Sequence, residues 1–125
     1  FISGSASGQN FAFNTNPGEQ YTVDNIKTDA VSLTWSDDRV FVGSATTFSR
    51  NGKLMVASNM PMTFELSEGG LKYYHGSGGQ LSFYSEKPPA DVLLNGNAVD
   101  DFIYNDKNKM VTIDVPKGEG LLVIQ

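Results

Sequence analysis

Tyr73-Tyr74-His75 and, ten residues on, Phe83-Tyr84 are the stretches of this sequence best equipped for chemistry. Flat rings with polar tips suit a partly wet platform, where an aromatic face meets the C–H face of a sugar and polar groups bond its hydroxyls. Adjacent residues of a strand point to opposite faces, so one ring of each pair is expected to face away from the core. If Leu71–Tyr74 and Leu81–Tyr84 pair as a hairpin across Gly76–Gly79, the outward rings form a short strip. The competing reading is cross-strand aromatic packing that stabilises the sheet by a few tenths to ~1 kcal/mol. Trp35, the sole tryptophan, falls in register with Val31 and Leu33, which places it in the core; a binding platform is its other possible place.

His75 is the only histidine and precedes Gly76-Ser77-Gly78-Gly79. Tyr74 and His75, with Arg39 or Arg50 as a neutralising cation, match the group types of acid–base elimination, but that chemistry needs them convergent in a cleft. Nothing in the sequence ties His75 to a partner, so it reads as a solvent-exposed loop histidine and the chain as non-catalytic. Asp37-Asp38 and Asp100-Asp101 are acidic pairs, and Asp24 and Asp29 flank a further turn. Such oxygens suggest calcium as the one cation to consider. No EF-hand spacing accompanies them, and Asx residues are ordinary turn formers. Gly76–Gly79 lacks the lysine and the strand-to-helix setting of a phosphate loop.

The elements that must position these residues are strands. Val31-Ser32-Leu33-Thr34-Trp35, Met62-Thr63-Phe64-Glu65-Leu66, Leu81-Ser82-Phe83 and Val111-Thr112-Ile113-Asp114-Val115 alternate apolar with polar, the period of a half-buried strand. Arg39-Val40-Phe41-Val42 and Leu54-Met55-Val56-Ala57 are nearly continuous apolar runs, as expected of strands covered on both faces. Asn51-Gly52 and Asn95-Gly96 supply the two positive-φ positions of a type I′ hairpin turn. Pro88-Pro89 suits an extended connection, since proline brings no amide to a ladder. The pieces number ten to twelve short strands with little or no helix. They predict one all-β domain over residues 1–125, an antiparallel β-sandwich of jelly-roll or Ig-like kind, with residues 1–9 a linker end or a leading edge strand.

Composition narrows the partners. A net charge of −5 over 125 residues disfavours nucleic acid, whose phosphates call for a basic face, and the lysines and arginines are scattered. The absence of cysteine excludes thiol catalysis and disulfide scaffolds. No run approaches the ~20 apolar residues of a membrane-spanning helix, so membrane insertion is not expected. A start at Phe1 without a signal segment reads as a processed product or a domain cut from a longer polypeptide. Abundant Asn, Ser, Thr and Gly suit an extracellular domain.

The last third carries a resemblance. Ala90-Asp91-Val92-Leu93-Leu94-Asn95-Gly96, then Phe102-Ile103-Tyr104-Asn105-Asp106, then Met110-Val111-Thr112-Ile113-Asp114-Val115-Pro116-Lys117-Gly118 resemble the closing strands of ancillary β-sandwich domains in bacterial polysaccharide lyases and glycoside hydrolases. Those domains follow a Val-x-Leu-Asn-Gly hairpin with a strand bearing an apolar residue, any residue, then Tyr-Asn or Tyr-Asp, and a terminal Val-Thr-Ile-x-Val-Pro strand. Leu121–Gln125 would complete the sheet. The resemblance brings no catalytic motif. It implies a secreted, carbohydrate-binding-module-like domain whose partner is a polysaccharide, met through Tyr73, Tyr74, Tyr84, Trp35 and His75, or a neighbouring catalytic domain that it braces. The alternative is a cell-surface, adhesion-type β-sandwich that binds protein, for which an unprotected edge strand would be the sign.

Overall fold

Alternating β-branched and aromatic residues between glycine and asparagine turns produce strands throughout. A computed structural model describes residues 1–125 and contains no helix. The strands are β1 (Ile2–Ala6), β2 (Gln9–Phe13), β3 (Tyr21–Val23), β4 (Ile26–Thr28), β5 (Ser32–Trp35), β6 (Arg39–Arg50) and β7 (Lys53–Ser67). Then follow β8 (Gly70–His75), β9 (Gly79–Tyr84), β10 (Val92–Leu94), β11 (Asn97–Ala98), β12 (Ile103–Asn105), β13 (Met110–Val115) and β14 (Gly118–Ile124). Every pairing is antiparallel.

The β6–β7 hairpin organises the molecule. Its strands are 12 and 15 residues long, far beyond their neighbours, and each belongs to two sheets. The first sheet runs β1-β2-β5-β6-β7-β8-β14-β10-β11 and uses Arg39–Gly43 of β6 with Met62–Ser67 of β7. The second runs β3-β4-β6-β7-β9-β13-β12 and uses Phe48–Arg50 with Val56–Ser58 and their neighbours. Between the halves the register breaks: Ala45 pairs Met62 while Thr47 pairs Ala57, leaving the four residues 58–61 of β7 opposite Thr46 alone. Ser44 adopts a φ of 56°, and Pro61 stands in the unpaired stretch, where its missing amide costs no ladder bond. Amides freed at the bend are satisfied by Asp29, whose Oδ1 accepts from Thr46 N at 2.9 Å and Thr47 N at 3.1 Å.

The bend lays the two sheets face to face. Phe48 of the second meets Phe64 of the first edge-on, with ring centroids 6.0 Å apart at 79°. Two inward rows cross the first sheet, one through Ala12, Leu33, Val42, Phe64 and Tyr73, the other through Trp35, Val40, Leu66, Leu71 and Leu122. Ile26, Phe48, Val56, Leu81, Phe83, Val111 and Ile113 answer from the second. Gly120 lies beside Tyr73 in register, and a side chain there would strike the Tyr73 ring.

Several expectations hold. Asn51-Gly52 and Asn95-Gly96 have φ values of 55° and 76°, and 54° and 83°, as a type I′ turn requires. Residues 2–6 form a leading edge strand, and β14 closes the first sheet against β10. Two expectations are corrected. Residues 39–42 are not covered on both faces: Val40 and Val42 point inward while Phe41 is 45% exposed on the outer face of the first sheet. Leu71–Tyr74 and Leu81–Tyr84 do not pair. β8 lies between β7 and β14, and β9 between β7 and β13, so the Gly76–Gly78 link crosses from one sheet to the other.

Candidate functional site

The crossover separates the predicted aromatic residues. Tyr74 is 48% exposed on the outer face of the first sheet, while Tyr84 belongs to the second. Tyr73 points inward, and burial pushes its phenol above the ordinary tyrosine pKa. Trp35 takes the core place of its two readings. His75 corrects the expectation of an exposed loop residue: it is fully buried, continuing the inward alternation of Leu71 and Tyr73. Its Nε2 lies 3.2 Å from Ser58 Oγ, and its Nδ1 has no hydrogen-bond partner. A ring enclosed in this way reaches no substrate on the surface.

Tyr84 is engaged locally. Its hydroxyl donates to Glu86 Oε2, Lys109 Nζ lies 2.9 Å from Glu86 Oε1, and Lys53 Nζ is 5.4 Å from the ring centroid. The Tyr84 hydrogen bond, then the hydrogen bond and charge of Lys109, hold the Glu86 carboxyl down to about 2. The acidic pairs stand in separate turns, Asp37-Asp38 between β5 and β6 and Asp100-Asp101 between β11 and β12. Asp38 Oδ1 accepts from Ser36 Oγ at 2.9 Å. No three His, Asp or Glu side chains gather as a metal-ion set.

What the strands do bring together is a trough on the outer face of the first sheet. Three adjoining depressions of about 380, 300 and 200 Å³ share Arg39, Phe41, Glu65, Lys72 and Leu121 among their walls. The register explains the composition. One outward row runs Phe11, Thr34, Phe41, Glu65, Lys72, Leu121 from β2 to β14, and the next carries Thr63, Tyr74 and Glu119 on β7, β8 and β14. Phe41 and Tyr74 are two strands and two residues apart, roughly 12 Å at ordinary sheet spacings. Arg39 Nε lies 3.5 Å from Glu65 Oε1, and Glu65 is directly opposite Lys72. Two half-exposed rings thus flank a polar strip.

Of the predicted site residues only Tyr74 stands in this trough as an exposed ring. Phe41 is the residue sequence reasoning missed, although its signal was present: between Val40 and Val42, and two residues from Arg39, it holds the outward position of an alternating strand. Thr63 and Glu65 carried the same signal as the polar positions of Met62–Leu66. No protein-family model matches the chain, and no curated protein matches it.

Proposed function

We propose that this chain is a non-catalytic binding module, an ancillary domain of a secreted polysaccharide-degrading enzyme, which holds a polysaccharide along the trough of the first sheet. The observation that carries the reading is the pair Phe41 and Tyr74, each about half exposed, on one sheet face with Thr63, Glu65, Lys72 and Glu119 around them. Exposed rings beside hydroxyls and charges suit sugars, which present both apolar C–H faces and hydroxyls. A trough crossing several strands suits a polymer better than a small molecule. The stretches that carry the resemblance to ancillary domains fold as the Asn95-Gly96 hairpin and the antiparallel β12–β13 pair. The burial of His75 also takes the one histidine away from any surface acid–base chemistry. Affinity electrophoresis against a polysaccharide panel tests the reading. Retardation by one polymer, lost in Tyr74→Ala and Phe41→Ala, is the expected result; retardation by none refutes it.

A second reading, docking of protein, rests on β1. All five of its residues are exposed, and none is charged or proline, whereas the other edges, β3, β11 and β12, are only two or three residues long. Ile2, 61% exposed, pairs with Phe13, 51% exposed, and Phe1, just before Ile2, is half exposed and stacks on Tyr21. An adhesion-type partner would add a strand there, and a catalytic domain would rest against the same edge. Ser5→Lys, which charges that edge, would weaken such a partner and leave polysaccharide retention unchanged; the reverse pattern excludes this reading.

A further inference from the structure

We infer, on the basis of the polysaccharide reading above, that the occupant of the trough is an uncharged polysaccharide, with one sugar ring seated on Tyr74 between Thr63 and Glu119. The charges of the trough are balanced. Arg39 and Lys72 both neighbour Glu65, which forms an ion pair with Arg39 and faces Lys72 across the β7–β8 ladder. Lys72, like Glu119, forms no ion pair within 4.0 Å, and two cations against two carboxylates leave the trough with no surplus of either sign. Glu119, the fourth charge, forms no ion pair within 4.0 Å and no side-chain hydrogen bond. A polyanion such as a uronate or sulfated chain needs surplus cations, and it would approach a molecule of net charge −5 against a repulsive field. A neutral sugar needs the opposite: strong acceptors for its hydroxyl protons, with no penalty for net charge.

The row Thr63, Tyr74, Glu119 supplies this. The three residues lie directly opposite one another on β7, β8 and β14, with the exposed ring in the centre. Neighbouring strands are about 4.8 Å apart, so the threonine hydroxyl and the carboxylate stand on either side of a sugar stacked on the tyrosine. The carboxylate accepts from the hydroxyls, and such charge-assisted bonds are about twice as strong as neutral ones. The threonine Oγ1 already accepts from Ser44 N at 3.2 Å, which leaves its proton to donate to a sugar oxygen.

The experiment compares matched polymers by affinity electrophoresis, with calorimetry on any that retard the domain. The neutral arm is hydroxyethylcellulose, xylan, galactomannan and a β-1,3-glucan; the anionic arm is carboxymethylcellulose, polygalacturonate, alginate and chondroitin sulfate. Retention by a neutral polymer is expected, unchanged from about 0.02 to about 0.5 M NaCl because no net charge is neutralised. Glu119→Gln is expected to bind that polymer roughly tenfold more weakly, the loss of one charge-assisted hydrogen bond, while its thermal midpoint stays that of the parent. Retention only by anionic polymers, weakened by salt and strengthened in Glu119→Gln, overturns the inference while preserving the polysaccharide reading. An unchanged affinity of Glu119→Gln for the neutral polymer overturns it as well. Retention by neither arm refutes the polysaccharide reading itself.

Discussion

Phe48 tests whether the bent hairpin truly folds one sheet over the other. It is fully buried, stands on the second-sheet half of β6, and meets Phe64 on the first-sheet half of β7 edge-to-face at 6.0 Å. Phe48→Ala empties the space of a whole ring and is expected to cost about 3–5 kcal/mol. In a domain of this size that corresponds to a fall in Tm of roughly 10–25 °C. The sharper perturbation is a cycle of Phe48→Leu, Phe64→Leu and the double variant. Each single change should cost about 1–2 kcal/mol of apolar burial. The edge-to-face pair should appear as a coupling of about 0.5–1.5 kcal/mol, by which the double variant falls short of the sum of the single costs. Equilibrium urea unfolding followed by Trp35 fluorescence reads all four proteins, since the single tryptophan is buried in the first sheet and becomes exposed on unfolding. Additivity within about 0.3 kcal/mol would mean the rings do not meet, and the face-to-face arrangement of the hairpin halves would be refuted.

Gly120→Ala would place a methyl group against the Tyr73 ring and should cost about 1–3 kcal/mol in urea unfolding, most of it recovered when Tyr73→Leu is added; a neutral Gly120→Ala would refute this packing. Ser58→Ala strips His75 Nε2 of its partner and should cost about 1–3 kcal/mol. The double change Ser58→Ala, His75→Met removes the buried polar atoms together and should come out closer to the parent than the single change, a ranking that chemical denaturation reads directly. Glu86 should titrate near 2 by carbon-detected NMR, against an ordinary value of 4.5, and move back toward it in Tyr84→Phe or Lys109→Ala. Because the folded pKa is depressed, the contribution of Glu86 to stability is present above about 4.5 and is lost as pH falls toward 2. The pair is exposed, so the effect is small and shrinks with salt; a wild-type midpoint near 4.5 would show that these bonds do not form in solution.

How much of this was legible in the sequence depends on the range of the interaction. Asn51-Gly52 and Asn95-Gly96 act within two residues, because positive φ at both positions is a local steric matter, and their turns are where the sequence puts them. The alternation of Val31–Trp35 and Met62–Leu66 likewise announces which side chains face inward. Applied strictly, the same alternation places Phe41 outward and His75 inward. The apolar content of residues 39–42 and the glycine run after His75 point the other way, and the period of two overrides both. The bend in β6 and β7 was not legible, because it depends on Asp29 reaching Thr46 and Thr47 from the loop between β4 and β5. Nor was the partner of β8. A tyrosine-bearing strand next to a glycine-rich link looks like half of a hairpin, and only the whole topology shows that the link changes sheets. The trough inherits that difficulty, since its rows draw on β6, β7, β8 and β14, which are distant in sequence and meet only in the folded sheet.

The most direct test of the central claim is a map of backbone amide shifts in the ¹⁵N-labelled domain as neutral xylo-, cello-, manno- and β-1,3-gluco-oligosaccharides are titrated in. Saturable shifts from at least one series are expected, concentrated at Phe41, Thr63, Glu65, Lys72, Tyr74 and Glu119 on the outer face of the first sheet. Shifts centred on β1, or around Tyr84 and Glu86 on the second sheet, or none from any series, would contradict that claim.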